Sequence, residues 1–415
     1  YRAKGGPGAG PAAISVAADA LGLSRKTLST GVDAMSALGV EIDWSIAAVP
    51  TAAPPPSPRE ERRFLDEIAS LKRELRESYR EADATDDLRR AVFGLAEQSI
   101  VPPNWTVSLR KATGGPGIPV LLTSDFQWGE RISASELDGI NEFNAEIAHV
   151  RYVRLIEKTI NLSFNHMVRP EYPGIIYLRG GDAISGDIHQ ELRETNDLQS
   201  LPAVRNLVEN EAWGIDQLAN HFGKVRVISV PGNHGRQTIK PMSKRYMETN
   251  YDTLSAWMLE QWFESRKDKR VQFWTPNSGD ALFPVYGYWF LLTHGDRIGS
   301  RGGQGFIGPA ATIARGMKKV RDYYAALGRP VYRVLIGHFH SCLDLGELGY
   351  ANGSLPGVSE YSRDFRMGVG APVQWLFYVH PEWGITAQWK VMLEKQPRIL
   401  PAGGDFSEFG EDAGK

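Results

Sequence analysis

From Gly117 onward, short apolar runs of strand length alternate with segments of helical pattern. The runs are Ile118–Thr123, Gly174–Leu178, Val225–Val230, Tyr288–Thr293 and Val331–Ile336. A long segment of helical pattern, residues 135–167, separates the first two runs. Two more strand-like stretches, Val373–Val379 and Ile385–Met392, follow near the end. Alternation of this kind predicts an α/β domain.

Each of the five runs is followed at once by polar residues of one chemical kind. They are Asp125 and Gln127, then Asp182, then Asn233 and His234, then His294, and finally His338 and His340. Because ligands of open α/β sheets gather beyond the carboxyl ends of strands, these side chains can converge on one site. His338 and His340 are two positions apart and point the same way along an extended chain. Gly337 before them allows the backbone to turn sharply.

This set of side chains combines carboxylate, amide oxygen and imidazole, without thiolate. Such a set suits Mn²⁺, Mg²⁺, Fe²⁺ or Zn²⁺ with open coordination positions. There are too many ligands for one ion, and two ions about 3.5–4 Å apart, bridged by one carboxylate, would use them all. Two such ions favour phosphoester hydrolysis. Taken singly, each residue has a structural explanation as a helix cap, a core histidine or a turn, so the prediction rests on their order.

The ordered motifs Asp-x-Gln, Gly-Asp, Gly-Asn-His, His and Gly-His-x-His resemble the calcineurin-like metallophosphoesterase superfamily. The resemblance spans Pro119 to Met392, most of the chain. It implies a four-layer αββα sandwich with a dimetal site at the strand ends. It also implies that the two late strand-like stretches belong to the second sheet.

Carried over by position, the resemblance implies two metal sites that share one carboxylate. One ion would be held by Asp125, Gln127, Asp182 and His340, and the other by Asp182, Asn233, His294 and His338. Asp182 would bridge the ions together with a water or hydroxide that attacks the phosphorus. His234 would be catalytic without being a ligand, stabilising the transition state or protonating the leaving oxygen.

The sequence departs from the family pattern at two positions. Gln127 stands where the family usually has histidine, so we expect weaker binding at the first site and a preference for Mn²⁺ or Mg²⁺ over Zn²⁺. Gly235 stands where many members have Asp or Glu, so a carboxylate that orients His234 must come from elsewhere or be absent. Arg236 follows directly and either contacts phosphate or lies on the surface.

Residues 1–46 are predicted to form a small helical domain that resembles a helix-turn-helix. Ala17 to Leu28 carry the spacing, and Ser24 is a good N-cap for the second helix. Arg25, Lys26 and Thr27 would then face the major groove of DNA. A helical hairpin that docks on protein is the alternative. The combination resembles phage and bacterial metallophosphoesterases with an N-terminal helix-turn-helix, loosely grouped with repair nucleases of the SbcD type.

The rest of the chain divides by composition. Residues 47–58 read as a Pro/Ala linker, residues 59–100 as a charged helix, residues 101–398 as the metallophosphoesterase domain and residues 399–415 as a flexible tail. The charged helix has a narrow apolar seam. That seam either packs on the catalytic domain or contacts a second copy in a homodimer.

Four arginines outside the motifs could contact a substrate. They are Arg297 and Arg301 in a glycine-rich loop, and Arg363 and Arg366 beside aromatic residues. Each pair is also compatible with a solvated charged surface. Together with the N-terminal pattern they make DNA the first expectation, and hence a nuclease. The alternatives are a phosphatase or phosphodiesterase for a small molecule or phosphoprotein, with Trp128 and the Arg301 loop closing a narrow pocket, and an inactive DNA-binding scaffold.

Composition bears on the compartment. The net charge is −2, so any basic surface is local. Cys342 is the single cysteine, which excludes a disulfide within the chain and fits a reducing compartment. No apolar run is long enough to cross a bilayer and no secretory signal is visible. We therefore expect the cytoplasm of a bacterial or phage-infected cell, although the chain begins at Tyr1 and we expect residues to precede it.

Overall fold

The computed structural model describes residues 102–108, 115–298, 309–364 and 370–395, together with Ser24 and Lys26. The chain divides into two units, Tyr1–Asp86 and Asp87–Lys415, and the four ranges belong to the second. The predicted linker, charged helix and tail lie outside the described residues, as does the helix-turn-helix apart from Ser24 and Lys26. The predicted domain boundaries stay predictions.

The described strands form two sheets. They are β1 (Ile118–Thr123), β2 (Ile175–Arg179), β3 (Val225–Ser229), β4 (Val271–Trp274), β5 (Asp280–Val285), β6 (Tyr288–Thr293), β7 (Arg333–Ile336), β8 (Leu343–Asp344), β9 (Gly349–Ala351), β10 (Val373–His380) and β11 (Gly384–Met392). The first sheet has the order β11-β10-β1-β2-β3-β4, and the second has the order β5-β6-β7-β9-β8. Strands β1 to β4 run parallel, as do β6, β7 and β9, whereas the remaining pairs are antiparallel. Both sheets are therefore mixed.

Helices connect the strands. Within the described ranges they are α1 (Asn104–Val107), α2 (Ala145–Asn165), α3 (Gln190–Thr195), α4 (Ser200–Phe222), α5 (Tyr251–Ser265), α6 (Pro309–Ala326) and α7 (Glu360–Asp364). Helix α2 begins at an N-cap, Asn144, whose side chain accepts the backbone N–H of Ile147 at 2.9 Å. None of the helices in these ranges is both long enough and apolar enough to cross a bilayer.

Three hydrophobic clusters hold the layers together, and the two-residue period of the strands divides side chains among them. In β1, Leu121 faces helices α2, α4 and α5, whereas Val120 and Leu122 face the second sheet. Phe377 of β10 stacks on Phe290 of β6 between the sheets, with ring centroids 5.9 Å apart. A third cluster joins the outer face of the second sheet to α6. The result is an α/β structure in which two sheets pack face to face between helices.

The five predicted strands are confirmed within one or two residues at each end. One sheet assignment was wrong. The late strands β10 and β11 belong to the first sheet, because β10 pairs antiparallel with β1 and its apolar residues complete that sheet. The predicted helix over residues 135–167 is shorter, since Asp138 and Gly139 take positive φ and α2 begins only after Asn144. Strands β4, β5, β8 and β9 were not anticipated.

Candidate metal centre

The predicted ligands meet where the carboxyl ends of parallel strands lie side by side. The loops after β1, β2, β6 and β7 are joined by backbone hydrogen bonds. Asp125 N–H donates to the carbonyl of Gly181 at 2.9 Å, and Gly337 N–H donates to the carbonyl of His294 at 2.8 Å. Within each sheet, the loops that follow neighbouring strands are therefore fixed against each other by the backbone.

One group of donor atoms surrounds Asp182. Its Oδ2 lies 3.0 Å from Nε2 of His294, which in turn lies 3.1 Å from Oδ1 of Asn233. Asp182, His294 and His338 each offer one ligand atom, and these atoms lie within 4.8 Å of one another. Asp182 and His294 are almost fully buried. Four of the seven predicted ligands therefore form one compact cluster.

The polar atoms next to the two ring nitrogens of His294 are oxygens that accept hydrogen bonds. Its Nδ1 lies 2.9 Å from the carbonyl oxygen of Gly180, and its Nε2 faces the oxygens of Asp182 and Asn233. All three neighbours are acceptors, so the ring must carry both protons unless a cation lies among the side chains. Burial alone would lower the pKa of His294, but the Asp182 carboxylate raises that pKa well above its usual value. In the metal-free protein the imidazole therefore holds a proton that a metal ligand has to release.

His338 has the opposite character. Burial, followed by the neighbouring His294, lowers the pKa of His338 to about 4. Its imidazole is therefore neutral at pH 7, which is the form that binds a metal.

The second group of donor atoms shares Asp182 with the first. Nε2 of His340 lies 3.4 Å from Oδ1 of Asp125, and Nε2 of Gln127 lies 3.4 Å from Oδ2 of Asp182. Oε1 of Gln127 is buried and has no hydrogen-bond partner among the residues that the structure describes. A buried amide oxygen without a partner costs about 1–3 kcal/mol. A cation would satisfy this oxygen, so the residues present fit a metal ion on this side as well.

Five of the seven predicted ligands have a left-handed backbone, although none is glycine. Their φ values are 52° at Asp125, 46° at Gln127, 52° at Asp182, 67° at His338 and 47° at His340. Each such residue costs on the order of 1–3 kcal/mol, and strain of this kind clusters at functional sites. The strain therefore coincides with the residues singled out by the sequence.

Gly337 has a different role from the one predicted. Its φ is not in the left-handed region, where its neighbours His338 and His340 lie. Instead, a Cβ at Gly337 would lie 2.3 Å from Oδ2 of Asp125 and 2.6 Å from Oγ of Ser124. Glycine is needed here for close approach to the Asp125 carboxylate, which accepts the His338 N–H at 2.9 Å.

His234 lies at the edge of the cluster and is oriented by the backbone. Its N–H donates to Oδ1 of Asp182 at 2.7 Å, and its Nδ1 donates to the carbonyl of Ser185 at 2.8 Å. The other ring nitrogen of His234, Nε2, takes no part in this hydrogen bond. The backbone carbonyl of Ser185 thus orients His234, and this chain has no carboxylate at position 235. A larger side chain does not fit at position 235, because a Cβ added to Gly235 would lie 2.4 Å from Oδ1 of Asn250.

Asp252 is a residue of the candidate site that the sequence did not indicate. Its buried carboxylate accepts N–H groups from Asp182 at 2.9 Å, Ala183 at 3.1 Å and Gly232 at 2.8 Å. It therefore ties together the loops that carry Asp182 and Asn233. Burial, and then repulsion from Asp182, raise the pKa of Asp252 to about 6. The sequence marks Asp252 only as a residue in the first turn of α5. The side chain of the N-cap, Asn250, accepts the Asp252 N–H.

A buried polar network behind Asp125 was also missed. Ser124 Oγ donates to Oδ2 of Asp125 at 2.5 Å. Asn352 donates to Ser124 Oγ at 3.0 Å, and Gln374 accepts the Ser124 N–H at 2.9 Å. Asn352 and Gln374 are fully buried and lie on or beside strands far away in sequence, so no local pattern marks them.

His189, at the start of α3, is a further histidine near the site. Its ring centroid lies 5.6 Å from that of His234. Burial, and then the charges of His234 and Arg236, lower the pKa of His189.

The predicted substrate-binding arginines are engaged within the protein where they are described. Arg236 donates to the carbonyls of Thr238, Asn233 and Ile239, Arg297 stacks 3.8 Å from the ring of Tyr246, and Arg363 pairs with Asp364. Arg301 and Arg366 lie outside the described residues, as do Arg25 and Thr27, and Lys26 is described apart from its neighbours. Contacts of these residues with substrate or DNA stay predictions. Trp128 is fully buried and so has no exposed surface with which to close a pocket, and the Arg301 loop lies outside the described residues.

A scan of the chain against protein-family models finds no match, and a search of curated proteins finds none either.

Proposed function

We propose that this protein is a dimetal phosphoesterase of the calcineurin-like metallophosphoesterase superfamily. The proposal rests on one observation above all: the ligand-type side chains of five strand ends form two groups that share Asp182. Two face-to-face sheets between helices are what a four-layer αββα sandwich of that superfamily requires. The left-handed backbone at five of the ligand positions supports the same conclusion.

In this proposal the first ion is held by Asp125, Gln127, Asp182 and His340. The second is held by Asp182, Asn233, His294 and His338. When bound, two divalent ions lower the pKa of a water between them and neutralise charge on a phosphoryl oxygen. Mn²⁺ suits the set, because an amide oxygen replaces one imidazole and thiolate is absent.

The chain's own residues orient the site and manage the proton. Asp252 holds the Asp182 and Gly232 backbones, so the bridging carboxylate stays aimed at both groups. His234 is fixed through Nδ1 to the Ser185 carbonyl. Its Nε2 is then the position that carries a proton toward the leaving oxygen of the ester.

A phosphodiester, and DNA in particular, is the substrate we propose. This part of the proposal rests on the helix-turn-helix pattern of residues 1–46 and on the arginines Arg301 and Arg366, which the structure does not describe. The described arginines Arg236, Arg297 and Arg363 give it little support, because their guanidinium groups already bind within the protein. The single cysteine favours a cytoplasmic setting for this activity.

Hydrolysis assays with the full chain test the proposal. We expect Mn²⁺-dependent cleavage of a DNA oligonucleotide and of bis-p-nitrophenyl phosphate. His338→Ala should abolish both activities, whereas His221→Ala, which changes an exposed histidine on α4, should leave both unchanged. Turnover of p-nitrophenyl phosphate without DNA cleavage would assign a phosphatase instead. The absence of hydrolysis with every divalent metal tested would refute the proposed activity.

A further inference from the structure

A cavity of about 420 Å³ lies between the two sheets, at the end of the strands remote from the metal centre. Arg226 lies in the first half of β3 and Trp289 near the start of β6, whereas the proposed ligands follow the carboxyl ends of these strands. The volume is in the range of small-molecule sites, about 300–1,000 Å³. Its walls are apolar and aromatic, formed by Ile176, Ile228, Leu282, Phe283, Trp274 and Trp289.

Arg226 places a positive charge in the lining of this cavity. Its side chain is on the same face of the first sheet as Ile176, its register neighbour in β2. Within the described part of the chain, its guanidinium makes no hydrogen bond and no ion pair within 4 Å. Burial lowers the pKa of Arg226 to about 10, against the opposing effect of Glu260. A partly desolvated cation without a hydrogen-bonded partner is costly, and an anion would relieve that cost.

The two charged residues among the described lining, Arg226 and Arg329, have the same sign. Arg329, in the connection before β7, is the second charged residue of the lining, and none of the described lining residues is a carboxylate. Trp274 and Trp289 add flat indole surfaces, on which a planar body can stack. Apolar walls, aromatic faces and a cation match a ligand with a planar apolar body and one anionic head.

We propose that this cavity is a binding site for a small organic anion of that class, such as an aromatic carboxylate or sulfonate, separate from the metal centre. The guanidinium of Arg226 binds the anionic head, and the aromatic walls enclose the body. This inference does not depend on the proposed phosphoesterase activity.

Fluorescence titration of the full chain tests the site. The anionic probe is anilinonaphthalene sulfonate, the neutral probe is phenylnaphthylamine, and EDTA is present throughout to exclude metal-mediated binding. We expect saturable binding of the sulfonate at one site. Arg226→Met keeps an apolar stem and removes the charge, so it should weaken sulfonate binding by about tenfold or more and leave the neutral probe within about twofold.

Arg205→Met is the matched control, since Arg205 is exposed on α4. It should leave the affinities for both probes unchanged. The site is overturned if the wild-type chain does not bind the sulfonate, if Arg226→Met binds it as tightly as the wild type does, or if Arg226→Met loses both probes equally. The last result would mean that Arg226 only maintains the shape of the cavity.

Discussion

Replacing Gly337 by alanine tests whether the Asp125 carboxylate must lie against the backbone of β7. The added Cβ would lie 2.3 Å from Oδ2 of Asp125, about 1 Å closer than ordinary contact, and 2.6 Å from Oγ of Ser124. Asp125 cannot easily retreat, because it accepts the His338 N–H and the Ser124 hydroxyl. Since the φ of Gly337 is outside the left-handed region, the substitution changes space and little else.

We expect Gly337→Ala to lower the free energy of unfolding by about 1–3 kcal/mol, the usual cost of overpacking. If the protein is the proposed phosphoesterase, a displacement of about 1 Å at a ligand should also lower hydrolysis by about 100-fold. Urea denaturation measures the first effect, and Mn²⁺-dependent turnover of bis-p-nitrophenyl phosphate measures the second.

Gly115→Ala is the control, because a Cβ there would lie 3.4 Å from its nearest neighbour, an ordinary contact. It should change neither quantity appreciably. Wild-type stability and wild-type turnover in Gly337→Ala would refute the close approach on which this description of the site depends.

Four more outcomes are expected. In metal titrations, His340→Ala should weaken the first ion and His338→Ala should eliminate the second, because the two side chains belong to different donor groups. His234→Gln should lower kcat by about 100- to 10,000-fold without changing metal content, as it removes a proton carrier and not a ligand. Asp252→Ala should lower the free energy of unfolding in urea by about 3 kcal/mol or more, because three buried N–H groups lose their acceptor. Mn²⁺ affinity measured by calorimetry should rise with pH around neutrality, by about tenfold per unit for each proton released, since the raised pKa of His294 keeps that ligand protonated in the metal-free protein.

For each of these four predictions, one result would contradict the expected outcome. Loss of the same ion in both histidine variants would refute the assignment to two groups, and metal loss in His234→Gln would make that residue a ligand. Unchanged stability of Asp252→Ala would show that its hydrogen bonds are replaced by water. An affinity for Mn²⁺ that is independent of pH would mean that His294 is already neutral before the metal binds.

The sequence predicted the strands that carry the site because each is a buried apolar run with a polar end. It failed where pairing partners are far apart. Strands β10 and β11 were assigned to the wrong sheet, since nothing local in Val373–His380 indicates that it pairs with β1. The short strand β9, Gly349–Ala351, has too few residues for its alternation to be recognised.

The ligands themselves were predictable, but their supports were not. Asp125 and His338 stand out because a polar residue follows an apolar run. Asp252 looks like an ordinary residue in the first turn of a helix, and only the fold brings it to the backbone of Asp182. Gln374 is similar, because it lies on a strand and supports Ser124 from a position 250 residues away.

Counting the metal ions bound by the full chain tests the proposed dimetal site. After chelation and removal of EDTA, the protein is loaded with Mn²⁺, freed of excess metal by equilibrium dialysis, and analysed for metal per chain. We expect two ions per wild-type chain and the loss of both in Asp182→Asn, since both donor groups share that carboxylate. A wild-type chain that binds no ion at either group would contradict this expectation.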